Sequence, residues 1–453
     1  MNFETTKRTD LPLAASTGVV APGGVRRVRH RVPRQTQESP VPQVMRRLRD
    51  PLLWLIAVSV GLALSVQRLP DASQRSAGVG AVDLRIFLDA AQSVVAGESV
   101  YDVDGYVYLP FVAWSLLGAT DMRSTITPWA IAAIAAAWCI AVVTLVPLWD
   151  RLTRWQRPVV FGVALVALLY NKVTLNQLEL GQVDFFVLLL LAGAATAAWY
   201  RRSAASGALI AVAALVKTWP VLIGVWLLRS SESRPLRALA GALIAGTAGV
   251  LAATALSGPT MIPEWVSRTI ELSRQDLVSF SVWGAGVELF TADSAGGPLV
   301  VSPVLAVVLP WVLAGGVAAL IVIALRWPGD HGLAMWNVAG AVVLLLPVSH
   351  ISYRLLMLPL VWTWLAICMS RRYTTATRRV AVIALVATSF FWIVTFRFAA
   401  YLAAMGSTGL YVAVMLSTML ALAASVFAAR ALDVSTEGPR DRPASGRSRS
   451  QIR

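Results

Sequence analysis

Apolar stretches long enough to cross a bilayer recur along this chain of 453 residues, and short clusters of arginine separate them. A helix of about 20 apolar residues spans the hydrocarbon core. Lipid offers no partner to a bare peptide group, so such stretches must cross as helices that close their own hydrogen bonds. Only 14% of the residues are charged, against about a quarter in soluble domains. The mean hydropathy is +0.67. The pattern predicts an all-α polytopic membrane protein.

The net charge of +15 does not point to nucleic acid. The arginines sit at the ends of apolar stretches and in both tails, which is how positive charge orients a membrane protein. Aromatic and basic residues are not interleaved as a nucleic-acid groove requires. Cys139 and Cys368 both lie inside apolar stretches and read as small buried hydrophobes rather than a disulfide. Residues 1–50 carry Arg26, Arg27, Arg29, Arg31, Arg34, Arg46, Arg47 and Arg49 ahead of the first apolar stretch. They are too long and polar for a signal peptide and are expected to form a disordered basic cytoplasmic arm. Residues 433–453 read as a similar tail, and residues 51–432 as the membrane domain.

Setting the arginine clusters inside gives a topology. Residues 52–67 cross outward, 68–125 lie outside, and 126–149 return to Arg151, Arg154 and Arg157. Residues 159–170 and 183–200 make the next pair, with an outside turn between them. Residues 204–228 are flanked by Arg201 and Arg202 on one side and by Arg229, Arg234 and Arg237 on the other, and Lys217-Thr218-Trp219-Pro220 interrupts them. Basic flanks on both sides favour a broken hairpin turning at Lys217. The competing reading is one long helix kinked at Pro220. Residues 238–256, 300–325, 333–348, 355–369, 380–396 and 410–429 complete about 11–12 spans with both termini inside. No short repeat is visible, which excludes a solenoid.

This topology gathers the unexplained polar residues on the outside. Ionisable groups near membrane depth are costly and mark pathways or sites. Asp184, Lys217, His350, Arg354 and Arg397 have too little loop around them to be solvated. Asp83 opens an amphipathic stretch in which Leu84, Phe87, Leu88 and Ala91 share a face. It reads as the N-cap of that helix, and a carboxylate there is also placed to act as a general base. Asp102-Val103-Asp104 is a common spacing in a turn-rich stretch, and a solvated loop is the better reading.

Several short motifs stand in order: Asp83, Gly97-Glu98-Ser99-Val100-Tyr101-Asp102, Tyr106-Val107-Tyr108-Leu109-Pro110-Phe111, Leu180-Gly181-Gln182-Val183-Asp184, Val216-Lys217-Thr218-Trp219-Pro220, Ser281-Val282-Trp283-Gly284 and Val348-Ser349-His350-Ile351-Ser352. From Asp83 to Arg397 the chain resembles glycosyltransferase family 87, a GT-C type family of polyprenyl-phosphate-sugar-dependent enzymes. It departs from the family's pattern in Leu109-Pro110 where a double proline is usual, in Asp184 where asparagine is usual, and in the residues after Ser352. The resemblance implies a GT-C-like fold whose first outside loop forms helices along the membrane surface, so that residues 107–119 are interfacial rather than spanning.

The resemblance further implies transfer of a sugar from a polyprenyl phosphate to a hydroxyl of a glycolipid or polysaccharide, outside the plasma membrane of a bacterium. Mannose is preferred and arabinofuranose is the alternative. Asp83 matches the family's catalytic base, with Asp89 as the reserve candidate for the base and otherwise a sugar or acceptor contact. Lys217, His350, Arg354 and Arg397 are candidates for the donor phosphate. Gln182, Asp184, Trp219, Trp283 and Tyr108 are candidates for sugar or acceptor contacts. A lipid monophosphate presents no diphosphate to chelate, so no metal or other cofactor is expected. A lipid-carrier transporter would place polar groups at the midplane and show related halves; neither is seen. A scaffold or polymer-export subunit with a degenerate site would fit the departures.

Overall fold

The computed structural model of the chain describes residues 43–436, apart from residues 80, 120, 229–233, 274–278, 295, 328–331, 371 and 399–406. For residues 43–48, 70–79, 272, 273, 397, 398, 407 and 433–436 it describes the backbone alone. Most of the expected arm and tail therefore falls outside the described residues. Among the described residues there is no strand, as the apolar periodicity predicts. The chain is an all-α polytopic membrane protein.

The α-helices are α1 (Gln43–Val79), α2 (Val82–Ala96), α3 (Phe111–Trp114), α4 (Met122–Leu145), α5 (Gln156–Leu169), α6 (Lys172–Leu180), α7 (Asp184–Trp199) and α8 (Ser203–Val216). They continue with α9 (Pro235–Ser257), α10 (Met261–Ser273), α11 (Gly284–Phe290), α12 (Pro303–Arg326), α13 (Leu333–Leu345), α14 (Leu358–Met369), α15 (Thr375–Ile393) and α16 (Ser407–Thr436). Among the described residues, seven helices are long and apolar enough to cross a bilayer. An eighth crossing is formed if α5 and α6, bent by 52°, are one span. The expected count of 11–12 includes shorter apolar helices as well: Asp184–Trp199, Ser203–Val216, Trp219–Leu228 and Leu333–Leu345.

Short helices such as α13 and α14 sit inside, whereas the long helices α9 and α12 lie almost wholly outward. Every residue of α13 from Leu333 to Leu344 is buried. Trp362 and Trp364 of α14 are fully buried, and their indole N–H groups donate to Thr144 Oγ1 (3.0 Å) and Ser425 Oγ (2.9 Å). A buried indole needs such a partner. By contrast α9 exposes Leu236, Leu239, Leu243 and Ile244, and α12 exposes Val304, Val307, Val308 and Val312. Apolar side chains left outward on this scale suit a hydrocarbon solvent.

A second apolar cluster caps one end of the bundle. It joins Leu84, Phe87 and Leu88 of α2 to Tyr101, Tyr106, Val112, Val183, Ala253 and Met261. Val183 precedes α7, and Ala253 lies near the end of α9, so the cap sits on one set of helix ends. Polar ties hold α10 to it: Ser99 Oγ donates to Glu264 Oε2 (2.6 Å), Trp265 Nε1 to the Val107 carbonyl (3.2 Å), and Arg268 to the Tyr101 carbonyl (2.9 Å). Residues 107–119 contribute only α3 and turns and do not span, as expected of an interfacial segment.

Two local expectations are corrected. Residues 171–184, read as a turn, are mostly the helix α6, capped by Asn171, whose side chain accepts from the Val173 amide (2.8 Å). Asp83 is not the N-cap of α2. That place is taken by Ala81, with φ 38° and no side-chain cap, and Asp83 stands in the first turn.

The candidate active site

The site begins where α8 stops. α8 ends at Val216, and Pro220, which brings no amide donor, weakens any continuation of the helix. Lys217 takes an extended conformation (φ −149°, ψ 119°) while its amide still bonds the Ala213 carbonyl. The chain then winds as a 3₁₀ helix, Trp219–Leu228. A methyl placed on Gly224 would lie 3.9 Å from Ile210 Cγ2, whereas one continuous helix would hold these residues ~21 Å apart. The segment is therefore a broken hairpin with Lys217 at its turn, and the kinked-helix reading is excluded.

Asp184 meets Lys217 from the start of α7. Lys217 Nζ donates to Asp184 Oδ1 at 2.6 Å, with the two side chains 7% and 1% exposed. A carboxylate at a helix N-terminus also gains from the helix dipole. Asp184 Oδ2 accepts from Gln177 Nε2 at 2.7 Å. Gln177 lies on the buried face of α6 with Val173, Thr174 and Leu178, and its Nε2 also reaches Gln182 Oε1 (3.2 Å). Gln182 Oε1 accepts a second bond from Ser352 Oγ (3.2 Å).

Gln182 then connects to Asp83 through a side-chain hydrogen bond. The backbone explains why they meet. Gly181 ends α6 in the left-handed conformation (φ 72°, ψ 36°), which favours glycine. A Cβ there would lie 2.4 Å from Leu84 Cβ, so the α6–α7 turn lies directly against the first turn of α2. Burial pushes the Asp83 carboxyl up from its ordinary value; the Gln182 bond and the Lys217 charge oppose this, and Asp184 reinforces it.

An aromatic wall completes the cluster. Lys217 Nζ lies 4.1 Å from the centroid of the Tyr353 ring, a cation–π distance. Trp219 and His350 each lie 5.8 Å from that ring. The Trp219 indole N–H is buried and has no partner among the described residues. The Tyr108 hydroxyl feels Lys217, Asp83, Tyr353 and Asp184 together, and its ring packs edge-on against Phe87 at 5.0 Å.

The structure thus brings together Asp83, Gln182, Asp184, Lys217, His350, Trp219 and Tyr108 of the residues singled out from the sequence. It keeps three others apart. Asp89 is on the exposed face of α2. Trp283 donates to the Leu345 carbonyl (2.8 Å) and packs edge-on against Trp311. Arg354 is fully buried elsewhere, bonded to Ser349 Oγ (3.1 Å), Thr418 Oγ1 (3.3 Å) and the Phe280 carbonyl. The side chain of Arg397 lies outside the described residues; its backbone belongs to the π-helical turn Val394–Phe398. Gln177, Ser352 and Tyr353 were given no role from sequence. The signal for Gln177 was its place three and four residues from Thr174 and Val173, a polar side chain on the apolar stripe of a short helix.

Chemically the cluster offers one half-buried carboxylate at a helix start, a second, buried carboxylate clamped to an ammonium, amide groups between them and rings around them. Among the described residues no group of three or more histidine, cysteine or acidic side chains is arranged to hold a metal ion. The model of glycosyltransferase family 87 matches residues 106–349, just over half of the chain. Asp83 and Asp89 precede the matched region, and His350, Arg354 and Arg397 follow it. No curated protein matches the chain.

Proposed function

The chain belongs to glycosyltransferase family 87, and we infer that it moves a sugar from a polyprenyl phosphate to an acceptor hydroxyl on the extracytoplasmic side of a bacterial plasma membrane. It is a membrane glycosyltransferase by family; the donor, the sugar and the side are our reading. Mannose is the preferred sugar, with arabinofuranose as the alternative. Both termini lie in the cytoplasm on this reading, because the arginine clusters stand at the bundle end opposite the cap.

The observation that carries the reading is the Asp83–Gln182–Asp184–Lys217 cluster under the cap. A hydroxyl is a weak nucleophile, and a carboxylate that takes its proton in the transition state lowers the barrier. Asp83 is our base: burial raises its affinity for that proton, and the bond to Gln182 holds it in place. The acceptor oxygen forms its bond to the anomeric carbon as the bond to the phosphate oxygen breaks. The electron pair leaves with the lipid phosphate, and the anomeric configuration inverts.

The departing phosphate gains charge, which nearby donors stabilise. An ammonium has three donors, and Asp184 takes one from Lys217, so Lys217 has donors to offer a phosphate. His350 is the second candidate, on the other side of Tyr353. The geometry favours these two over Arg354, whose bonds lead away from the cluster. Trp219 and Tyr108 line the sugar's position, with the free indole N–H as a donor to a sugar oxygen.

The test uses purified protein in nanodiscs with a polyprenyl-phosphate-mannose or polyprenyl-phosphate-arabinose donor and a short glycolipid acceptor. Turnover with one donor should vanish in Asp83→Asn while the variant keeps its melting temperature. Undiminished transfer by that variant would remove Asp83 as the base.

A further inference from the structure

Lys217 does not meet a ligand as a lone cation. Its ammonium stands 2.6 Å from the Asp184 carboxylate, with both side chains nearly closed to solvent, so the pair presents almost no net charge. Both carboxylate oxygens are engaged: Oδ1 accepts from Lys217, and Oδ2 accepts from Gln177 Nε2 at 2.7 Å. Held from α6 as well as from the Lys217 turn, Asp184 stays beside any anion that Lys217 takes. The Tyr353 ring covers another side of the ammonium at 4.1 Å, and His350 packs against the same ring at 5.8 Å. The Asp83 carboxylate feels both members of the pair.

The consequence depends on the charge of the anion. On the sugar-transfer reading above, on which this inference rests, the donor is a phosphate diester with a single negative charge. The carrier left in the site is a phosphate monoester, which holds about −1.5 to −2 near pH 7. A lone ammonium attracts the monoester about twice as strongly as the diester, and so retains the spent carrier against fresh donor. We propose that Asp184 is a charge-selecting residue: acting through Lys217, it cancels this preference and drives out the lipid phosphate that the reaction leaves. Lys217 keeps its directed hydrogen bonds for the singly charged donor. A carboxylate and a phosphate on one ammonium lie ~5 Å apart. At that distance, and at the effective dielectric of a protein site, one further unit charge on the phosphate is worth ~100-fold in affinity. In the transition state the leaving phosphate has only part of its new charge, so Asp184 slows the chemistry less than it hastens release.

The experiment measures binding to the full chain in nanodiscs, with two unreactive probes that differ by one charge: farnesyl phosphate and its methyl diester. At pH 8 the monoester is doubly charged and an ordinary imidazole is neutral. The wild type should bind the two probes within tenfold of one another; a larger preference for the monoester overturns the proposal without recourse to any variant. Asp184→Asn should raise the affinity for the monoester at least tenfold more than that for the diester. A merely structural role would move both affinities together, so equal shifts, or none, overturn the proposal. The substituted amide fits its place: Gln177 Oε1 is buried with no partner among the described residues, so turning the Gln177 amide over offers an acceptor at the loss of the 3.2 Å bond to Gln182. If the wild type binds neither probe, or Lys217→Met binds both as the wild type does, the proposal falls together with the assignment of the phosphate to Lys217. If the probes are separated by charge as expected while no sugar is transferred from any donor, the sugar-transfer reading fails and the charge selection stands.

Discussion

The close approach of Gly181 to Leu84 gives a controlled test of whether the α6–α7 turn positions the site. Gly97 and Gly181 end α2 and α6 in nearly the same conformation, φ 78°, ψ 19° and φ 72°, ψ 36°. An alanine at either costs ~1–2 kcal/mol of backbone strain. Their surroundings differ. Nothing lies within 4 Å of a methyl at Gly97, whereas at Gly181 it would stand 2.4 Å from Leu84 Cβ and 3.3 Å from the Leu84 amide nitrogen. Ordinary contact begins near 3.4 Å, so the turn and the first turn of α2 must part by ~1 Å. Gln182 and Asp83 flank that contact, and a misplacement of this size at a reacting group costs ~10²-fold in rate. Both variants are compared with the wild type for thermal unfolding and for transfer. Gly97→Ala should show only a lower melting temperature. Gly181→Ala should also lose ~10²-fold in kcat/KM. If Gly181→Ala transfers within threefold of Gly97→Ala, the turn does not position the base and the argument built on it fails.

Three further outcomes follow from the same contacts. The kcat/KM profile should have an acid limb above the ordinary carboxylate range, because burial raises Asp83 and the base must be ionised; Gln182→Met removes a bond that favours the charged form, so its limb should move to still higher pH, and an unmoved limb would count against Asp83. Asp184→Ala leaves Lys217 buried and unpaired and should destabilise the protein by ~3–5 kcal/mol; adding Lys217→Met should recover most of it, and strictly additive losses in denaturant unfolding would reject the coupling. Arg354→Met should lower the melting temperature while the donor KM stays within twofold; a tenfold rise in that KM in a variant that melts normally would return Arg354 to the phosphate site.

Much of the architecture could be read from charge and hydropathy. The turn at Lys217 followed from basic flanks on both sides of one apolar segment, whereas the interfacial reading of residues 107–119 came from the family resemblance, which their short length suits. Pairings were less legible. Lys217 and Asp184 each looked out of place in lipid, but nothing in their spacing says that they neutralise one another; that depends on how α7 and α8 pack. Arg354 and Lys217 looked alike in sequence, as single cations on apolar segments. What separates them is the company each keeps: a carboxylate and a ring for Lys217, hydroxyls and a carbonyl for Arg354. Gln177 was overlooked because the segment around it read as a loop, and a glutamine in a loop carries no signal. Once α6 is seen as a helix, its inward face makes Gln177 conspicuous.

The burial of Arg354 bears on how the protein is made. A guanidinium on an isolated helix costs ~3 kcal/mol to leave in the membrane. Besides nearby Ser349, the groups that satisfy Arg354 come from distant parts of the chain: the Phe280 carbonyl, made long before it, and Thr418, made after it. When the helix that follows Arg354 first leaves the ribosome, α16 has yet to be synthesised. Until α16 arrives, the Arg354 guanidinium lacks its Thr418 partner, so its shell is incomplete. α16 lies beyond the region matched to the family, yet through Thr418 and Met415 it supplies part of the shell that makes the burial of Arg354 tolerable.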